Sequence, residues 1–189
     1  MDDHAPQWRV AVHRDELGLS NPLKRPLRRR NHGYAPEWRN LLTGRYFRHM
    51  FSEGRVIIPV GGWYKWSLEN GKKQPWYIRR KANEPIFMAG LTNFRPDVEQ
   101  TVGTGCVIVT EDSGAGMVDI HDRRLVVLEP KDALTWMNPD TRVEEAAQIA
   151  QTRSISTGQF VWWKVGRAVN RIDPNNNGKH LLVPVSESA

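Results

Sequence analysis

Apolar and polar positions change period along the chain. Residues 8–13, "WRVAVH", alternate and predict a strand. Residues 22–30 carry prolines that cannot donate ladder hydrogen bonds, so they predict an extended loop or edge strand. In "NLLTGRYFRHMF", residues 40–51, Leu42, Tyr46, Phe47, Met50 and Phe51 share one helical face. Gly54 supplies the stop, and Gly44 weakens the helix. The pattern then turns to strands. "RVIIPVGGWYKWSL" and "KQPWYIRR" flank Asn70-Gly71, the strongest hairpin signal in the chain. "EPIFMAGL", "GCVIVT" and "RLVVL" continue as apolar strands. Two short helices follow, "PKDALTWMN" with Pro130 near its start and "TRVEEAAQIAQ". "FVWWKV" and "KHLLVPV" close the chain as predicted strands, joined partly through the turn-forming "DPNNNG". Many strands with few, dispersed helices predict an α+β class, a mostly antiparallel and barrel-like sheet.

The 189 residues suit a single domain spanning 1–189, and 39% hydrophobic with 25% charged residues is an ordinary globular composition. No apolar run approaches a membrane span, and the first residues lack the layout of a signal peptide, so a cytoplasmic location is expected. The single cysteine, Cys106, excludes an intrachain disulfide and an all-cysteine metal site. It lies in an apolar strand and reads as an inert thiol. Neither metal-ligand spacing nor a phosphate-binding glycine loop is present, and no cofactor is expected.

Charge alters the picture more. The net charge is +6 and the pI about 9.7. Lys24, Arg25, Arg28, Arg29, Arg30 and Arg39 fall in one short reach with Tyr34 and Trp38 between them. Arginines hold phosphates and flat rings stack on bases, so the cluster suits single-stranded nucleic acid better than a membrane. His121, beside Asp119, Asp122 and Arg123, reads either as a structural histidine or as a general acid–base. Lys65, between Tyr64 and Trp66, has three readings. It snorkels to solvent, contacts a phosphate, or, if desolvated among tryptophans, attacks an aldehyde as a neutral amine.

Taken in order, "GYAPEW", "RVIIPVGGWYKW…KKQPWYI", "EPIFMAGL", "VIVTEDSG", "VDIHDRRLVVL" and "FVWWKVGRAVN" resemble the SOS-response-associated peptidase (SRAP) family of abasic-site processing proteins. The resemblance covers nearly the whole chain. It implies a compact sheet-rich fold with a basic groove for single-stranded DNA and a role in the DNA damage response. It also implies a cysteine nucleophile directly after the initiator methionine, which captures the abasic aldehyde as a crosslink. An asparagine, a glutamate in a "GWYEW"-type strand and a histidine in an "HDRMP"-type loop assist.

By that resemblance His121 matches the family histidine and Arg123 the arginine after it, while Lys65 stands at the glutamate position. Trp38 and Arg39 match the element that wedges beside the lesion. Residue 2 is Asp2, and Arg124-Leu125 replaces the family's Met-Pro. The expectation is therefore a monomeric, single-stranded-DNA-binding SRAP-like protein, N-terminally truncated or degenerate, for which a phage or prophage origin is one source. His121 and Lys65 are its candidate catalytic residues. Arg28, Arg29, Arg30, Tyr34, Trp38, Arg39, Trp63 and Arg123 are its candidate DNA contacts. Two other readings stay open: a Lys65 Schiff-base lyase on abasic DNA, and a non-enzymatic protein-interaction module. A protease is the weakest reading, because no nucleophile–base pair is present.

Overall fold

A computed structural model describes residues 47–99, 104–113, 117, 123–171, 173 and 175–185. The strand at 8–13, the segment 22–30 and residues 40–46 of the expected helix lie outside them.

Helix α1, Phe47–Glu53, ends where Gly54 N–H donates back to Met50 O at 2.7 Å. A Cβ on Gly54 would sit 1.9 Å from Thr92 O, so only glycine lets the chain pass this close to its neighbour. The long run read as one strand is two, β1 (Arg55–Val60) and β2 (Trp63–Glu69), parted at Gly61-Gly62. β3 (Lys72–Arg80) returns from β2 through Asn70 and Gly71 at φ 49° and 72°, the two left-handed positions that a two-residue hairpin turn requires. The expected hairpin is therefore present, with Glu69 opposite Lys72 and Lys65 opposite Trp76.

β4 (Ile86–Thr92) is central. It pairs antiparallel with β1, with β5 (Cys106–Ile108) and with β8 (Val127–Leu128). Past Val109 the chain leaves β4 as β6 (Thr110–Asp112), which pairs with β7 (Arg123–Leu125). Three backbone bonds close the junction: Ala89 N–H to Val126 O, Val126 N–H to Val109 O, and Val109 N–H to Ala89 O. β9 (Phe160–Lys164) joins β3, so β2-β3-β9 forms a second antiparallel sheet. Pro75 lies one residue beyond the end of the β9 ladder, where its missing N–H breaks no strand pairing. Pro59 is on β1, an edge strand. The class is α+β with antiparallel sheets, and among the described residues no sheet closes into a barrel.

Both faces of β4 are buried. Ala89 and Leu91 pack with α1, α2 (Pro130–Met137) and α3 (Val143–Thr152) around Phe51 and Trp136. Ile86 and Met88 pack the other way, with Trp63, Ile78 and Phe160 of the second sheet. The first sheet is thus the middle of three layers. Arg55 pins its helical side. Although only 8% exposed, it donates to the carbonyls of Phe51, Ser52, Trp136, Asn138 and Thr141 at 2.8–3.3 Å. A guanidinium at the C-terminal ends of two helices meets the negative ends of their dipoles.

Two expectations need correction. "KHLLVPV" is not a strand: Lys179–Leu182 is a 3₁₀ turn, and only Pro184 bridges to Val165. Gly178 at φ 141° redirects the chain, and Pro184 has no N–H with which to extend a ladder. Cys106, expected within a continuous strand "GCVIVT", is half-buried at the start of a strand that bends at Val109.

Candidate nucleic-acid interface

The hairpin turn fixes the register, and the register sorts side chains by face. Trp63, Lys65, Ser67 and Glu69 share one face of β2. Opposite them on β3 stand Ile78, Trp76, Gln74 and Lys72, and beyond, on β9, Trp162 and Lys164. This face is core at one end and polar at the other.

At the core end Trp63 is 8% exposed and meets Phe160 edge-on, with ring centroids 5.3 Å apart. Among the described residues its indole nitrogen is buried without a hydrogen-bond partner. Trp63 is therefore mainly packing, with one unspent donor. One step outward, half-buried Lys65 faces Trp76, which faces Lys164. The Lys164 ammonium lies 5.4 Å from the Trp76 ring centroid, within cation–π reach. It is also 3.0 Å from Glu69. Trp76 donates its indole N–H to Ser67 Oγ at 2.9 Å, and Ser67 Oγ donates to Glu69 at 3.2 Å.

The other face of the same sheet is an aromatic stack. Tyr64 lies 5.3 Å from Tyr77, Tyr77 5.3 Å from Trp163, and the Arg79 guanidinium 5.6 Å from Trp163. Burial pushes both phenols above their ordinary value; Tyr77 adds to the rise at Tyr64, whereas Arg79 opposes it at Tyr77. Gly62 makes room for this stack, since a Cβ there would be 2.4 Å from the Tyr77 hydroxyl. The chain after β9 crosses it: Trp66 donates to Asn170 Oδ1 at 2.7 Å, and Trp163 to Leu182 O at 2.8 Å.

Arg123 opens β7 opposite Asp112 and donates to Thr110 Oγ1. Leu125, on the same face of β7, packs against the cluster that holds Trp63. Arg124 points to the opposite face. It pairs with Glu111 at 3.0 Å and donates to Ile155 O at 2.6 Å, while Ser154 donates to the same carboxylate. Burial pushes the Glu111 carboxyl up, against the opposing pulls of Ser154 and Arg124, and pushes the Arg124 guanidinium down. This clamp anchors β7, which follows His121 in the chain, and sequence reasoning missed it. The signal was there in outline: a charged pair, Glu111 and Arg124, inside runs that otherwise read as apolar strands.

The structure thus places Trp63 and Lys65 on one face and Arg123 on a neighbouring ribbon. His121, Arg28, Arg29, Arg30, Tyr34, Trp38 and Arg39 lie outside the described residues. Among the described residues no group of three or more His, Cys, Asp or Glu side chains could hold a metal, and no helix is long and apolar enough to cross a membrane.

Comparison with known proteins decides the family. The family model described as SOS response associated peptidase (SRAP) matches residues 3–172. The chain belongs to the SRAP family. It is 39% identical over 166 residues to the abasic site processing protein YedK of Escherichia coli, covering 81% of this chain and 72% of YedK. The abasic site processing protein YobE of Bacillus subtilis is 33% identical over 94 residues, 49% of this chain and 43% of YobE. A solved phage-related protein from Bordetella bronchiseptica superposes with a TM-score of 0.61 at 35% identity, covering 71% of this chain and 66% of that one. A Bacteroides thetaiotaomicron structure, at 19% identity and a TM-score of 0.65, shares the fold alone; the match covers 80% of this chain and 65% of that one. This SRAP chain therefore spans between about two fifths and three quarters of the relatives it matches here.

Proposed function

We propose that this SRAP chain binds single-stranded DNA and acts at abasic sites in the DNA damage response, as one cytoplasmic, monomeric domain over residues 1–189. The observation that carries this reading is the 39% identity, over 81% of the chain, to a protein named for abasic site processing. Lys164 against the Trp76 ring supports it, since a cation beside a flat ring suits a phosphate-bearing strand. Arg28, Arg29, Arg30, Tyr34, Trp38, Arg39 and Arg123 are the proposed DNA contacts, with His121 a proton carrier beside the lesion; Trp63, buried against Phe160, supports the face rather than touching the strand.

One observation favours a specific chemistry at the lesion. Lys65 puts a half-buried amine beside Trp76, where the family pattern has a carboxylate. A neutral amine attacks C1′ of the ring-opened abasic sugar, forming a carbon–nitrogen bond. The aldehyde oxygen leaves as water with the two amine protons, giving an imine. Borohydride delivers hydride to that imine carbon and fixes the adduct.

The test is a denaturing gel of labelled single strands, abasic and intact, with and without borohydride. Borohydride-dependent retention of the abasic strand, lost in Lys65→Ala, supports the imine. Retention without borohydride points to direct crosslinking by another nucleophile, and equal trapping by Lys65→Ala removes Lys65 from the chemistry. If no strand binds under native conditions, the reading fails in favour of a protein-interaction module.

A further inference from the structure

We infer that the polar end of the Lys65 face is a subsite for the phosphodiester backbone of a single strand, held in reserve by Glu69 as an internal counter-ion. The inference rests on the proposed DNA binding and adds to it a defined contact and its regulation. Glu69 ends β2 and Lys72 opens β3, so the hairpin turn sets them side by side. Lys164 reaches the same carboxylate from β9 at 3.0 Å. Among the described residues, two lysines, Lys72 and Lys164, thus flank the one carboxylate of Glu69, and the surplus there is positive.

The carboxylate is held in place. Ser67 Oγ donates to one of its oxygens at 3.2 Å and is itself fixed by the Trp76 indole N–H at 2.9 Å. Lys164 is aimed by the Trp76 ring, 5.4 Å from its ammonium. The side chains of Lys164 and Glu69 are 29% and 36% exposed, so solvent and a ligand reach both. Lys72 is exposed.

A phosphate offers the same anionic oxygens that Glu69 offers, to the same ammonium groups. An ion pair this exposed is weak, so exchanging its carboxylate for a phosphate costs little. The exchange also releases the counterions condensed on the strand. Glu69 therefore screens the subsite against small anions and yields to a polyanion, whose local phosphate density is high.

Fluorescence anisotropy of the full chain with labelled oligothymidylate, across a salt series, tests this. Glu69→Gln is expected to tighten binding about two- to fivefold at low salt. Misfolding cannot produce that gain. Neutralising a carboxylate on another layer, Glu144→Gln on α3, is expected to change binding much less. Lys164→Ala is expected to weaken binding and to reduce the slope of log K against log salt by about 0.7, and Lys164→Arg to restore it. Equal gains from Glu69→Gln and Glu144→Gln, or an unchanged slope in Lys164→Ala, overturn the subsite while leaving DNA binding intact. Failure of the unmodified chain to bind overturns both.

Discussion

Replacing Arg124 by Met, the residue type the family pattern carries there, separates the two halves of the buried Glu111–Arg124 pair. Their side chains are 15% and 9% exposed, and burial works against both charged forms. Desolvation thus consumes much of the attraction, as is usual for buried pairs. Either half alone is worse than both or neither. Arg124→Met leaves the Glu111 carboxylate to the Ser154 hydroxyl and removes the 2.6 Å bond to Ile155 O. The expected loss is about 3 kcal/mol, at the low end for breaking a buried pair because Glu111 keeps some hydration. Glu111→Gln is expected to lose about 1.5 kcal/mol, since an amide oxygen still accepts from Arg124. The double variant is expected to lose no more than about 2 kcal/mol, giving a coupling of about 2.5 kcal/mol. Urea denaturation of the four proteins measures the cycle. Additive losses in the double variant would refute the account of the clamp.

The same pair gives a pH signature. Burial raises the folded carboxyl above its ordinary 4.5, so the folded state holds this proton more tightly than the unfolded chain. The stability so gained is full below the unfolded value and is lost as pH rises through the raised folded value. Stability of the unmodified protein minus that of Glu111→Gln should therefore fall as pH climbs from about 4.5, and a rising difference would show the wrong sign. Arg55→Ala removes the donor to five carbonyls, four of them at two helix ends, and should cost about 3 kcal/mol or more by urea denaturation; a loss below about 1 kcal/mol would contradict the role of Arg55 as the pin between those ends. Gly62→Ala drives a Cβ to 2.4 Å from the Tyr77 hydroxyl and 2.6 Å from Ile78 O, and should lower stability by about 2 kcal/mol with altered near-ultraviolet circular dichroism. An unchanged spectrum would mean the aromatic stack does not need that gap.

Local signals were the legible ones. Asn70-Gly71 announced its hairpin because a two-residue turn depends on nothing distant, and Pro130 opened α2 for the same reason. What escaped was non-local. The bend at Val109 exists because three strands exchange bonds around Ala89, Val109 and Val126, and no window of sequence contains all three. Arg55 reads as an ordinary strand-opening cation, and only the fold brings two helix ends to it. The aromatic residues of "GGWYKW" look alike in sequence. Strand alternation is what tells them apart, turning Trp63 toward Phe160 and Trp66 outward to Asn170. The lysine between them keeps its interest, because register sets it beside Trp76 and one strand away from Lys164.

The decisive measurement is the affinity of the full chain for an oligothymidylate carrying one abasic site, followed by anisotropy as salt is raised. Several arginines and lysines meeting phosphates predict tight binding at low salt and a log–log slope of about −2 or steeper, at about −0.7 per phosphate neutralised. Absent binding, or an affinity indifferent to salt, would contradict it.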